Sequence, residues 1–531
     1  MAEQKPRERW GTKLGIIMAV AGSAVGLGNF LRFPVQAAQN GGGAFMIPYF
    51  ISFLLLGIPL MWIEWAIGRY GGLFGHGSAP FIFDKFSKNR ILKYLGVIGV
   101  FGPIVIFIYY TYIESWLLGY AFFSITGKLL SYTTPESMKN FLLAYQGLAP
   151  QSNIWTAYIF FLITFSINSW ILYRGIKGGI EWLCKWAMPV LFVFGIIIAI
   201  RVLTLGAPNP ANPDWNILNG LGFLWNPDFS VLGNSKVWLA AAGQIFFTLS
   251  VGIGAIITYA SYLSHGDDVV LSGLSAAATN EFAEVILGGS IVIPAAFAFL
   301  GAAGATQAAQ SGAFNLGFVT MPLIFGKIPF GEFFALLWFA LLFLAGITSS
   351  VSLAEPAIAF VRDEFNVNRN KAVTVFTIVT FILCQPAIFF LGNGVVDELD
   401  FWGGTFCLVL FALIETILFI WIFGMDKAWE EIHHGAELSI PRFYKFIIKY
   451  ITPLFLIFIL GFWFIQQALP TLLMKGASTQ NIPYIIGTRI GLIALFIIIA
   501  ILVRIAYYRR KSDLLRPSSA LRASEGSGGQ A

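Results

Sequence analysis

Three residues with neutral side-chain oxygens, Asn29, Thr248 and Ser250, lie in or beside two glycine-interrupted apolar stretches, GSAVGLGNFLRFP at 22–34 and LSVGIGAI at 249–256, and a fourth, Asn280, lies in the apolar run that follows. Each stretch carries Val-Gly-apolar-Gly inside a run otherwise suited to a helix. Glycine weakens a helix and lets the backbone open. In an apolar medium every unsatisfied backbone group costs several kcal/mol, so a break persists only where the freed groups are used. Freed carbonyls beside amide and hydroxyl oxygens suit a hard cation such as sodium, and half-helix N-termini favour a carboxylate. Close helix packing through small residues accounts for one such motif. It does not account for two, at matching positions, with amides and hydroxyls alongside.

Two ionisable residues stand near these oxygens in sequence. Arg32 closes the first motif, and Glu284 follows Asn280 by four residues, which puts both on one face of a helix. Charged groups at membrane depth are expensive and mark functional sites with a partner. Snorkelling is the plainer reading of Arg32.

The elements that must position these residues are membrane helices. The 531-residue chain is 57% hydrophobic and only 11% charged, against about 25% charged residues in soluble domains. Runs long enough to cross about 30 Å of hydrocarbon fall near 12–37, 42–70, 91–124, 153–173, 177–205, 236–264, 271–301, 331–362, 370–391, 395–424, 443–470 and 482–508. The expected fold class is an all-α integral membrane protein of about twelve transmembrane helices. The net charge of +6 comes from basic clusters in alternate loops, including Arg7, Arg9, Lys13, Lys85, Lys88, Arg90, Lys93, Arg174 and Lys177. That is the positive-inside pattern. It predicts both termini in the cytoplasm and argues against a nucleic-acid partner.

Ala19-Val20-Ala21 resembles a signal cleavage site, but apolar sequence resumes across 45–60. The first span is read as retained. The predicted organisation is a cytoplasmic segment at 1–11, five helices at 12–205, an extracellular loop at 206–235, five helices at 236–424, two more at 443–508, and a disordered cytoplasmic tail at 509–531. The glycine motifs then sit in spans one and six, five apart and oppositely oriented. Paired interruptions of this kind point to a binding site between two inverted halves.

Catalytic chemistry finds no support. The four histidines, His76, His265, His433 and His434, form no metal-ligand pair on a membrane helix. Gly26-Leu27-Gly28 lacks the third glycine and preceding strand of a dinucleotide site, and no phosphate-binding P-loop appears. Cys184, Cys384 and Cys407 sit in apolar runs, as packing residues do. The chain is not read as an enzyme.

GSAVGLGNFLRFPVQAAQNGGGAFMIPYF, IPLMWIEWAIGRYGG, GQIFFTLSVGIGAIITYASY, NEFAEVILGGS, LAGITSS and DFWGGTF together resemble the neurotransmitter:sodium symporter family. The likeness is greatest to its bacterial amino-acid carriers. It runs from about residue 7 to 509 and is weakest at 125–155 and in the last two spans. It implies a five-plus-five inverted repeat with broken helices one and six, two additional helices, and sodium-coupled uptake of an amino acid across a bacterial inner membrane.

Carried over by position, the resemblance implies one sodium held by Ala24, Asn29, Thr248 and Asn280, completed by the substrate carboxylate. A second would lie among Gly22, Val25, Ala345, Thr348 and Ser349. The carboxylate would meet the amides of Leu27 and Gly28 and the hydroxyl of Tyr110, and the amino group the carbonyls of Ala24, Phe247 and Thr248. Ser23, Ile106, Phe247, Ser250, Ile253, Ser349 and Leu353 would complete the substrate site. Its mostly apolar lining fits an aliphatic or small neutral side chain without choosing among them, since one methylene is worth only about 1–3 kcal/mol. Ser23, Ile106 and Ile253 depart from a bacterial amino-acid carrier that these motifs resemble, which has asparagine, valine and phenylalanine there.

Family members that carry monoamines have aspartate where this chain has Gly26, so the glycine favours a substrate that brings its own carboxylate. The resemblance also pairs Arg32 with Asp400 as an outer gate, and Arg7 with Asp363, near Tyr262, as an inner one. Chloride-dependent members carry a small hydroxyl residue at the place of Glu284, so Glu284 is expected to replace chloride. Glu64, Glu114, Glu355 and Glu415 are expected to bond neighbouring helices. The partners implied are sodium at two sites, a small amino acid and the lipid bilayer, with a homodimer left open. The alternatives are an ion-conducting channel and a sodium-coupled carrier of another small carboxylate-bearing solute.

Overall fold

A computed structural model describes residues 8–515, with side-chain surroundings through Lys511. Arg7 and the tail from 516 lie outside the described residues. Every element among the described residues is helical. This is the outcome for a chain whose backbone groups must be satisfied within each segment while it crosses hydrocarbon.

Among the described residues, ten helices are long and apolar enough to cross a membrane. They are span two (Gly42–Leu73), three (Leu92–Ile125), four (Trp155–Tyr173), five (Ile176–Leu203), seven (Val269–Gln310), eight (Gly331–Phe365), nine (Arg369–Phe389), ten (Val395–Ile422), eleven (Phe443–Leu472) and twelve (Ile482–Lys511). Span one is a bent pair, Lys13–Ala24 and Gly28–Gln39, turning through 45°. Span six is the pair Ser235–Leu249 and Ala255–Ala260, each half too short to cross alone. The expected boundaries agree with these to within a few residues. The exception is span seven, whose helix runs on past a kink at Gly301 to Gln310.

Spans three and eight form the middle of the bundle, with 83% of their most apolar window buried, whereas span twelve at the periphery is only 22% buried. On span twelve Ile490, Ile493, Ile497 and Ile501 are all exposed. Their spacing puts them on one helical face, as an element turned toward lipid requires. Both broken spans lie against the buried middle, which brings their interruptions together.

Candidate functional site

The break in span six is built from backbone geometry. Ser250, Gly252 and Gly254 have φ of 54°, 75° and 90°, the left-handed region that glycine enters without penalty. Close approach adds a second demand for glycine. A Cβ on Gly252 would lie 2.3 Å from the carbonyl oxygen of Leu408, and one on Gly254 would lie 2.6 Å from that of Gly99. The Gly252 N–H freed by the break donates to the fully buried Glu64 carboxylate of span two. In span one the helix stops at Ala24, Val25 turns extended with ψ of 93°, and Asn29 Oδ1 accepts from Gly26 N at 2.8 Å. Each break is thus held open by a polar side chain bonded to its backbone.

The two interruptions bound a cavity of about 50 Å3. All twelve residues that the sequence assigns to substrate line it: Ser23, Ala24, Leu27, Gly28, Ile106, Tyr110, Phe247, Thr248, Ser250, Ile253, Ser349 and Leu353. Gly26 and Asn29 join them, as do Ser352 and Leu408, which sequence reasoning did not single out. None of the lining side chains is charged. Tyr110 Oη stands 3.4 Å from Leu27 N and accepts its hydrogen bond. A Cβ on Gly26 would sit 2.9 Å from Ser349 Oγ and 3.1 Å from Tyr110 Oη, so position 26 faces the cavity's polar end.

Two groups of oxygens flank the cavity. In the first, Asn29 Nδ2 stands 3.1 Å from Thr248 Oγ1 and 2.8 Å from Asn280 Oδ1. One terminal atom of the Asn280 amide is 3.2 Å from the carbonyl oxygens of both Ala24 and Thr248. An amide oxygen facing two carbonyls is repulsive unless a cation lies between them, and otherwise the amide turns its nitrogen inward. The donor set therefore fits a hard cation. In the second group, Ser349 Oγ reaches the carbonyls of Gly22 at 3.3 Å and Ala345 at 3.0 Å. Thr348 Oγ1 stands 3.0 Å from Leu344 O and 3.1 Å from Ala345 O. Val25 caps the first half of span one, three residues after Gly22.

Glu284, fully buried on span seven, adjoins the first group. Its carboxylate accepts from Thr248 Oγ1 and from Gln244 Nε2 at 3.0 Å, and Tyr49 Oη stands 2.9 Å from it and 2.8 Å from Glu281. Tyr49 and Gln244 escaped the sequence reading because their polarity becomes informative only once three helices converge on Glu284. Among the other carboxylates, Glu114 accepts from Asn168 Nδ2 at 3.2 Å and so ties span three to span four.

The charged residues around the cavity are arranged differently from simple pairs. Arg32 and Asp400 make no ion pair. The Arg32 guanidinium lies 4.3 Å above the Phe247 ring centroid, and Asp400 Oδ1 accepts from Tyr109 Oη at 2.6 Å. Aromatic side chains thus hold both charges at the end of the cavity away from residues 8–12.

At the other end, Arg7 lies outside the described residues, and Asp363 accepts from Arg362 Nε at 2.8 Å. Tyr262 joins a wider network. Its hydroxyl donates to Glu355 at 2.6 Å and accepts from Arg362 at 3.1 Å. Arg369 holds Glu355 by two bonds of 2.9 and 2.8 Å, and Glu8 bridges Arg362 and Arg369 at 3.1 and 3.0 Å. Glu8, Arg362 and Arg369 were not foreseen as partners, because their positions in sequence carry no sign of the contact.

Glu355 has no exposed side-chain surface, so Arg369→Ala leaves a buried carboxylate without its counter-charge. Breaking such a pair costs about 3–5 kcal/mol. Thermal unfolding in detergent should report a loss of that size, and Glu355→Gln in the same chain should recover part of it. An unchanged unfolding temperature would refute the pairing.

Residues 7–141 and 138–510 match the sodium:neurotransmitter symporter family. An uncharacterized sodium-dependent transporter of Methanocaldococcus jannaschii is 33% identical over 459 residues, covering 85% of this chain and 89% of its own. Another, of Haemophilus influenzae, is 31% identical over 86% of this chain and 98% of its own. The sodium- and chloride-dependent glycine transporter 2 of Xenopus laevis is 26% identical over 87% of this chain. The crystal structure of MhsT in complex with L-phenylalanine is similar with a TM-score of 0.73 at 31% identity, over 86% of this chain and 99% of MhsT. With two broken helices around an uncharged cavity and a family match across nearly its whole length, the chain belongs to the sodium:neurotransmitter symporter family and is a multi-pass, sodium-dependent membrane symporter.

Proposed function

We propose that this symporter moves a small neutral α-amino acid together with two sodium ions into a bacterial cell by alternating access, without chloride and with both termini cytoplasmic. The observation that carries this reading is a cavity between two opened helices whose lining has backbone amides, carbonyls and hydroxyls but no charged side chain. A zwitterion suits it: the carboxylate meets the amides of Leu27 and Gly28 and the Tyr110 hydroxyl, and the amino group meets carbonyls of the opposite break. At roughly 10–15 Å3 per water-sized group, a cavity of about 50 Å3 favours a compact substrate.

One sodium would bind between Ala24 O, Thr248, Asn280 and Asn29, and the substrate carboxylate would complete its shell. For Asn29 to ligate through oxygen its amide must turn, giving up the bond to Gly26 N. The second would bind among the carbonyls of Gly22, Val25 and Ala345 and the hydroxyls of Thr348 and Ser349. Arg32 over Phe247, with Asp400 on Tyr109, would close the outer side. The Tyr262–Glu355–Arg362–Arg369 network and Asp363 would close the inner one. Glu284 would supply beside the first sodium the negative charge that other members take from chloride.

The experiment is a proteoliposome screen of labelled amino acids with an inward sodium gradient, with and without chloride. Saturable, sodium-dependent accumulation indifferent to chloride is expected, and a non-saturating current without accumulation would overturn the reading. Each charge moved through 100 mV supplies about 2.3 kcal/mol. At about 1.4 kcal/mol per tenfold, 100 mV before any sodium gradient lets two sodium ions with a zwitterion support about two-thousandfold accumulation, and one sodium only about fortyfold. Steady accumulation against a clamped potential therefore counts the ions. Thr348→Ala removes one hydroxyl ligand from the second site, and a bond to a charged group is worth about 1.5–3 kcal/mol. The sodium concentration for half-maximal substrate binding should rise roughly 10–100-fold, and an unshifted sodium titration would remove Thr348 from the site.

A further inference from the structure

One wall of the cavity holds a pair of hydroxyls with no role in binding the backbone of an amino acid. Ser23, near the end of the first half of span one, and Ser352, on span eight, face each other with Oγ atoms 2.7 Å apart. They are 3% and 1% exposed, and both line the cavity. The bonds around them account for their protons. Ser352 donates to Ser349 O at 2.7 Å, which leaves its oxygen to accept from Ser23. The adjacent hydroxyls are engaged in the same way: Ser250 donates to Ser23 O at 2.9 Å, and Ser349 Oγ stands 3.1 Å from Ser23 O and 3.0 Å from Ala345 O.

A hydroxyl has one proton and two lone pairs. Once the protons are directed at carbonyls and at each other, this wall offers a ligand acceptor lone pairs and no donor. The remaining side-chain surface, Ile106, Ile253, Leu353 and Leu408, is apolar. An aliphatic side chain seated here shuts water away from the serine lone pairs and gives them nothing in return. A hydroxyl in the same place donates to them.

We propose that Ser23 and Ser352 set the side-chain specificity of the cavity, selecting a small α-amino acid with a hydroxyl donor, of the threonine and serine type, over its apolar isostere. The inference rests on the reading of the cavity as an amino-acid site. Threonine and valine have nearly the same shape and differ in a hydroxyl for a methyl, so their ratio isolates the hydrogen bond. One net neutral bond corresponds to a preference of about tenfold.

The test is uptake of labelled threonine and valine from an equimolar mixture into proteoliposomes under a sodium gradient, for the unaltered chain, Ser352→Ala and Ser23→Ala. The ratio within each sample is the readout, so uptake of either amino acid shows that the variant is folded. The unaltered chain should prefer threonine about tenfold, and the ratio should fall toward one in both variants. A ratio of one or less in the unaltered chain overturns the inference and leaves amino-acid symport standing. A high ratio that neither variant lowers also overturns it, since the hydroxyl is then recognised elsewhere. Sodium-driven uptake of no amino acid at all, by a chain that sodium still stabilises against heat, overturns the underlying reading instead.

Discussion

Gly26→Asp is expected to lower affinity for a zwitterionic amino acid at least a thousandfold, and Gly26→Asn far less. Position 26 faces the polar end of the cavity, where an added Cβ would lie 2.9 Å from Ser349 Oγ and 3.1 Å from Tyr110 Oη. Both variants meet that crowding, so the difference between them reports charge. A carboxylate fixed there competes with the substrate's own carboxylate for the same amides and the same cation. Like charges brought together in a desolvated site cost several kcal/mol, hence the thousandfold. The decarboxylated amine should reverse the order and bind the aspartate variant more tightly than the asparagine one. Equal losses in the two variants would show that position 26 senses only volume.

Glu284→Ser is expected to make transport depend on chloride. The carboxylate accepts from Gln244 and Thr248, and serine leaves the buried Gln244 amide facing an unfilled space, whereas the Tyr49 hydroxyl keeps Glu281. An orphaned donor costs about 1–3 kcal/mol, and the proposed cation site at Thr248 loses an adjacent negative charge as well. Sodium-driven uptake in chloride-free buffer should therefore drop a hundredfold or more. Chloride fits the vacated space as an acceptor of the same sign and should restore uptake, whereas the unaltered chain should be indifferent to it. Full activity of the serine variant without chloride would rule out the charge-supplying role of Glu284.

The helical breaks were legible in sequence because they are local. Val-Gly-apolar-Gly occurs twice, five spans apart with amides and hydroxyls alongside, which close packing does not account for, and hydropathy alone located every span but the seventh to within a few residues. The cavity lining was legible through the longer motifs, which fix backbone positions as well as side chains. Ser352 and Leu408 were missed because nothing distinguishes them along their own helices. Ser352 acquires its role only when span one brings Ser23 against it, 329 residues away. The arrangement of Arg32 over Phe247 and Asp400 on Tyr109 was illegible for a related reason. A charge in a span announces that it needs a partner, but tertiary packing decides whether that partner is an opposite charge, a ring face or a phenol.

Glu8 gives the chain a schedule as well as a contact. Its partners Arg362 and Arg369 come 354 and 361 residues later, so Glu8 leaves the ribosome long before either exists. At about 5–20 residues per second, that interval is roughly 20–70 s. The contact at this face can therefore form only when span eight, itself the middle of the bundle, has emerged and span nine has begun. A nascent chain arrested before residue 362 would hold both opened helices and most of the cavity, yet lack these arginine anchors for Glu8 at its N-terminal end.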